Sequence, residues 1–280
     1  MSVIKVNNIT NRDGTSGPVI AGIATVSTTS HMVVPTGRTG TRYADGGENI
    51  VKDGLVANLD TAYGYNESDP YYLYDLSGNE NNANLINGPT YSTSNGGYFS
   101  YDGSNDYARI QYSPQIIPIN QISFEAFAYL SDWDIATDCR VLSATQGGGW
   151  QIGLNESGYI TSGYFGIMIY ISQLGDYTTL RVARSSISSG WHHICGTFDG
   201  RYATMYIDGT QSVQNDLGGI KTILYSYDSP VLIGGELADA GSVSGQYWPG
   251  YIGPVKIYNK GLSATEVLQN YNALKSRFGL

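Results

Sequence analysis

Basic residues are scarce in this sequence. Fifteen Lys and Arg stand against 24 Asp and Glu among 280 residues, and the formal net charge is −9. Binding a phosphate backbone needs clustered Lys and Arg, so nucleic acid is excluded as the main partner, and docking on anionic lipid is disfavoured with it. Charges of both signs make up only 14 % of the chain, too few for helices with charged solvent faces. Cysteine is nearly absent: Cys139 and Cys195 lie far apart, form no disulfide framework, and read as buried free thiols of a protein made in a reducing cytoplasm. No run approaches the ~18 apolar residues of a membrane span. The opening "MSVIKVNNITNRDG" also lacks the apolar core of a secretory signal, so neither membrane insertion nor that route of export is expected. Histidine is limited to three residues, and His192 and His193 are neighbours in a strand-like run. Strand neighbours point to opposite faces, so the two cannot chelate one metal.

What is abundant points one way. Glycine (36) and tyrosine (24) suit short strands joined by tight turns, and the length allows one large all-β domain or two small ones. "ISFEAFAYL", residues 122–130, alternates strictly, with Ile122, Phe124, Ala126, Ala128 and Leu130 on one face and Ser123, Glu125, Phe127 and Tyr129 on the other. In "SSGWHHICGTFDGRYATMYIDGT", two β-prone runs meet at Asp199-Gly200 and the second ends at Asp208-Gly209. Asp-Gly between alternating runs is hairpin chemistry, because Gly accepts positive φ. By the same logic "GGYFSYDGSNDYARI" turns at Asp102-Gly103, which makes Asp102 first a turn residue.

The two ends differ from this body. Residues 1–50 contain no aromatic before Tyr43 and only short apolar runs, too little to bury a core. They read as an extended arm laid on a partner or on the chain's own domain, and residues 51–280 as the domain. At the other end "SATEVLQNYNALKSRFGL" changes to helical period. Ser263 and Glu266 form a capping box, Val267, Tyr271 and Leu274 share a face, Lys275 and Arg277 suit the negative end of the helix dipole, and Gly279 can end the element. One C-terminal helix over about 263–276 is predicted.

The ordered set "ISFEAFAYL", "SSGWHHICGTFDG…MYIDG", "PVLIGG" and "GYIGPVKIYNKGLSATEV", preceded by "DLSGNENNANLINGPTY", resembles the laminin-G-like family of concanavalin A-like jelly rolls over about residues 53–276. The resemblance implies two antiparallel sheets packed face to face, one of them concave, with binding loops at an edge. The ends "IKVNNITNRDGTSGPVI" and "EVLQNYNALKSRFGL" resemble the leader and tail of structural proteins of tailed bacteriophages, particularly those of marine cyanobacteria. That implies a virion protein assembled in the host cytoplasm. It would be held to other virion proteins through residues 1–50, be homo-oligomeric, and display a lectin-like domain outward.

Three chemistries follow from these readings. Glycoside hydrolases of this fold place two carboxylates on one strand, about 5 Å apart for retention. Here Glu125 stands alone in its strand, and Asp132 and Asp134 bracket Trp133 in a loop, so no catalytic residue is expected. "DLSGN" sets Asp75, Ser77 and Asn79 at alternate positions, as oxygen-rich calcium loops do. Relatives of the laminin-G type often carry a calcium, which makes Asp75, Asn79 and Asp102 the candidate ligands. The acids such relatives place in the last strand are replaced here by Ile252-Gly253-Pro254-Val255. No other cofactor is expected. For carbohydrate, Trp133, Trp150, Tyr247, Trp248 and Tyr251 are the rings able to stack on sugars, whereas Trp191 starts a core strand and reads as buried. The function expected is tail-fibre or tail-associated adhesion to a host surface glycan. Capsid decoration without receptor binding is the alternative, and an accessory domain of a carbohydrate-active enzyme comes third.

Overall fold

Strand Ile122–Leu130 sets the plan of the molecule, because its alternation sorts side chains between two layers. The computed structural model describes residues 49–280 except 136, 146, 156–158, 161, 227, 240 and 241. The arm expected over residues 1–50 therefore lies outside the described residues, apart from Asn49 and Ile50. Ile122, Phe124, Ala126, Ala128 and Leu130 all enter the main core, as the period of two requires. Ser123, Glu125, Phe127 and Tyr129 face the other way.

The first sheet runs, edge to edge, Thr210–Asp216, Tyr202–Ile207, Gly190–Phe198, Ile122–Leu130, Tyr251–Tyr258, Tyr98–Ser100 and Thr90–Ser92, with Leu55–Leu59 also paired to Tyr251–Tyr258. The second runs Asp176–Ala183, Tyr164–Ile171, Trp150–Leu154, Cys139–Ser143, Val231–Ile233, Tyr107–Ile110, Ala83–Ile86 and Tyr72–Leu73. All the pairings are antiparallel, and the inner faces of the two sheets share one apolar core. Phe124 of the first sheet stacks on Trp150 of the second, with ring centroids 4.3 Å apart. Gly196 makes room for this contact: a Cβ there would lie 2.5 Å from the Phe124 ring. The β-sandwich expected from the sequence is what forms.

The turns follow their chemistry with one correction. Ile207 pairs with Thr210 across Asp208-Gly209, both at positive φ (50° and 71°), the conformation of a two-residue hairpin of type I′. At the neighbouring hairpin the closing pair is Asp199 and Tyr202, so Gly200 (φ 99°) and Arg201 occupy the turn while the Asp199 carboxylate accepts from the Arg201 and Tyr202 N–H groups. Asp102-Gly103 does turn the chain, but not within a hairpin. Tyr98–Ser100 lies in the first sheet and Tyr107–Ile110 in the second, so this loop carries the chain between layers.

The C-terminal helix runs Ala264–Leu274 with the expected capping box, buries Val267, Asn270 and Leu274, and packs on the outer face of the first sheet. A 3-10 segment, Lys275–Phe278, follows and ends at Gly279 in the left-handed region (φ 74°). The helix is thus shorter than predicted, and Arg277 does not serve its terminus. Its guanidinium makes a two-pronged pair with Asp60 (2.7 and 3.0 Å) and donates to the Gly96 carbonyl (2.6 Å). The partner is distant in sequence, so helix-end chemistry could not reveal it.

Candidate functional site

Two buried ionic networks lie on opposite outer faces of the sandwich. Under the C-terminal helix, Lys256 Nζ stands 3.2 Å from Glu125 Oε1, Asn270 Nδ2 donates to Oε2 (3.1 Å), and His193 Nε2 lies 3.4 Å from the same oxygen. Asn270 also donates to the Tyr258 hydroxyl and accepts from the Val51 N–H, and Tyr258 in turn donates to the Val51 carbonyl. Burial opposes the Glu125 charge, but Lys256, His193 and Asn270 outweigh it and hold the carboxyl down to about 2. The arrangement ties helix, last strand and residues 49–51 to the sheet.

On the second sheet, Arg140 plays the corresponding part. It pairs with Glu236 (2.7 Å) and Asp138, donates through Nε to Gln151 (3.0 Å), and lies over Gly153, where a Cβ would come within 2.7 Å of its Cδ. Thr145 donates to the other Glu236 oxygen (2.9 Å) and Ser143 to the Gly235 carbonyl (2.9 Å). These bonds anchor the start of a small two-stranded ribbon, Glu236–Asp239 with Ser242–Gly245. Burial raises the Glu236 carboxyl above its ordinary value, while Arg140 and Thr145 pull it back. Glu125 and Glu236 are separated by both sheets, so these two buried carboxylates cannot act on one bond.

The five rings expected to stack on sugars do not converge. Trp133, Trp150 and Trp248 are 1 %, 0 % and 0 % exposed. Trp133 packs edge-on against Phe165 and Trp248, and Trp150 is stacked on Phe124. Their ring faces are spent on the core, which corrects the expectation for all three. Tyr247 and Tyr251 are half-buried and lie on opposite outer faces. Tyr247 stacks on Tyr107 at 6.3 Å over the second sheet. Tyr251 belongs to the first.

Of the calcium candidates, Asp75 and Asn79 share a loop through Ser77, and Asp102 sits in its own turn. Asp75 accepts from the N–H groups of Asn58, Ser77 and Asn81 and from the Ser77 hydroxyl, while Asn79 donates to the Leu55 carbonyl and Ser77. Asp102 accepts from the N–H groups of Ser104 and Asn105, which hold its carboxyl below the usual range, and from that of Asp106. The Asp75 carboxylate ties its loop to strand Leu55–Leu59, and that of Asp102 staples its own turn. Among the described residues no group of three or more His, Cys, Asp or Glu side chains is arranged to hold a metal. No helix of the described residues is long and apolar enough to cross a membrane.

What the register does bring together is a cross-strand aromatic row around Tyr251. Trp191 pairs with Tyr129, and Tyr129 with Tyr251. Tyr251 is stacked on Tyr129 (4.9 Å, 18°) on one side and on Tyr98 (4.7 Å, 27°) on the other. These distances are the spacing of adjacent strands, so the rings stand on edge like books on the sheet. Trp191 and Phe278 close one end of the row, and Trp191 is 8 % exposed, as its reading from the sequence required. Alternation alone had set Tyr129 on this face; that Tyr98 and Tyr251 come beside it depends on pairing between distant strands. At one end of the sandwich a separate open concavity of 480 Å³ is lined in part by Tyr112, Pro114 and Ile119. Exposed Ile119 and Ile220 lie on adjoining loops there.

The Laminin_G_3 family model, described as the concanavalin A-like lectin/glucanases superfamily, matches residues 102–268. No curated protein matches the chain. Among solved structures, the binding domain of Paraclostridial Mosquitocidal Protein 1 is similar at 19 % identity and TM-score 0.57, over 79 % of this chain and 52 % of that one. The receptor-binding domain of botulinum neurotoxin mosaic serotype C/D is similar at 15 % identity and TM-score 0.57, over 79 % and 51 %. The botulinum neurotoxin serotype D ligand-binding domain in complex with N-acetylneuraminic acid is similar at 14 % identity and TM-score 0.58, again over 79 % and 51 %. The chain spans about half the length of these structures, and at such identities the likeness is one of fold.

Proposed function

The chain belongs to the concanavalin A-like lectin/glucanases superfamily, and from that premise we propose that it is a lectin-like, carbohydrate-binding domain. The observation that carries this reading is the half-exposed aromatic row on a rigid sheet, with Tyr98, Tyr129 and Tyr251 held in register. Tyrosine offers large, amphipathic contact area at low entropic cost, which suits recognition of sugars. The similar solved structures are binding or receptor-binding domains, one of them in complex with N-acetylneuraminic acid, which supports a binding role. A binding role is favoured over hydrolysis because Glu125 and Glu236 are each locked in an ion pair, on opposite faces.

The biological setting of the proposal is a phage particle. The ends of the chain resemble those of tailed-phage structural proteins, so the domain is a tail-fibre or tail-associated adhesin for a host glycan. It joins other virion proteins through residues 1–50 as a homo-oligomer assembled in the host cytoplasm. Capsid decoration is the second reading, favoured by that same resemblance of the ends, which marks a virion protein without assigning its place on the particle. A glycan array probed with the intact chain tests the binding role, and retention of a related set of glycans is expected. A folded protein that retains none overturns the adhesin reading. Gold labelling on assembled particles then separates tail from capsid.

A further inference from the structure

The aromatic row continues into a strip of hydroxyls. Tyr251 pairs with Ser100 across the next strand, Ser100 with Thr90, and Tyr98 with Ser92. Phe99 and Tyr91, between them, pack into the core, so Tyr98, Ser100, Thr90 and Ser92 point to the outer face. Among the described residues no hydrogen-bond partner is found for the hydroxyls of Tyr98, Tyr129, Tyr251, Ser100 or Thr90. None of the five is among the buried polar atoms left without a partner, so all reach solvent. The strip carries no charge. Strands Thr90–Ser92 and Tyr98–Ser100 contain no ionisable acid or base other than tyrosine, and Glu125 and Lys256, further along the same face, are sealed beneath the helix at 1 % exposure each.

We propose that this strip, on the helix-bearing face of the first sheet, binds a neutral glycan chain laid across the strands. The proposal rests on the lectin-like reading above and names its site and ligand class. Each hydroxyl both donates and accepts, which matches the mixed donor and acceptor pattern of sugar hydroxyls. The edges of the three stacked rings supply apolar surface for sugar C–H groups. An acidic glycan would require Arg or Lys to neutralise it, and the strip offers neither. Covering uncharged hydroxyls costs little when each gains a partner, whereas a charged ligand here would be desolvated without compensation. The rings are fixed by mutual stacking, so little side-chain freedom is lost on binding.

The test is calorimetric titration of the intact chain with a panel of neutral and sialylated oligosaccharides, at low and high salt. Tyr129→Phe and Tyr251→Phe keep the stack and remove one hydroxyl each. Each should weaken neutral-glycan binding about 5- to 10-fold, as expected for one lost hydrogen bond, without altering the melting temperature. Ser100→Ala, at the less packed edge, gives the same readout without touching a ring. Affinity should be insensitive to salt. If the wild type binds glycans and all three variants bind equally well, the strip is not the site, although the lectin reading stands. Binding restricted to sialylated glycans, or weakened steeply by salt, overturns the neutral class. If the wild type binds no glycan, the lectin reading itself fails.

Discussion

Glu125 shows how far a single residue can be read in advance. Its place opposite the core residues of Ile122–Leu130 was legible from alternation. Its partners Lys256, His193 and Asn270 come from three other segments and were not. Because folding lowers this carboxyl to about 2 from its ordinary value near 4.5, its contribution to stability is present above about pH 4.5 and is lost as pH falls through about 2. Glu125→Gln leaves Lys256 buried without its counter-charge, which should cost about 3–5 kcal/mol near neutral pH. Urea denaturation at a series of pH values should show the wild type losing stability over that acid window and the variant losing less. Parallel curves would mean that Glu125 does not carry the acid dependence. The tryptophans fail at the same scale for a legible reason. In "WQIGL" Trp150, Ile152 and Leu154 alternate and are all buried, so the period that placed residues 122–130 also assigns Trp150 to the core. The chemistry of an indole, which suits sugars and cores alike, decides nothing by itself.

Turns and the helix start were readable because their chemistry is local. The capping box at Ser263 and Glu266 and the positive φ of Gly200, Gly209 and Gly279 all sit where Asp-Gly, Ser-x-x-Glu and a terminal Gly put them. What was not local was not readable. The strands flanking Asp102-Gly103 look like a hairpin pair and belong to different sheets. Arg277 answers Asp60 across the fold, not the helix end. At Gly200, φ is 99° and a Cβ would meet only the Asn120 carbonyl, at 3.5 Å. The cost of Gly200→Val is therefore one of backbone strain, about 1 kcal/mol or more. A thermal or chemical melt of this variant indistinguishable from wild type would contradict the turn geometry.

At the scale of the whole molecule, fold class followed from the ordered motifs, since a laminin-G-like pattern over residues 53–276 implies two facing sheets. The order of strands within each sheet did not follow, and the aromatic row depends on that order. Ile50, expected in the arm, is buried with Val51, the first residue of the domain. Ile50 and Val51 are 4 % and 6 % exposed, and the Gln269 side chain donates to the Asn49 carbonyl. A cut after residue 48 should therefore leave a cooperatively melting domain, which under the proposed virion role would no longer join the particle. A cut after residue 51 removes the Val51 bonds to Asn270 and Tyr258 and should lower the melting temperature. If the first cut abolishes folding, the preceding residues belong to the core and the anchoring role falls.

The measurement that bears most directly on a lectin-like domain with its site on the first sheet is a crystal structure of the intact protein with a neutral oligosaccharide chosen from the array. The sugar should lie across Tyr129, Tyr251 and Tyr98, within hydrogen-bonding distance of their hydroxyls and of Ser100 or Thr90. A sugar seated instead against Tyr107 and Tyr247 on the second sheet, or at the loop end by Tyr112 and Ile119, with the tyrosine strip bare, would contradict it.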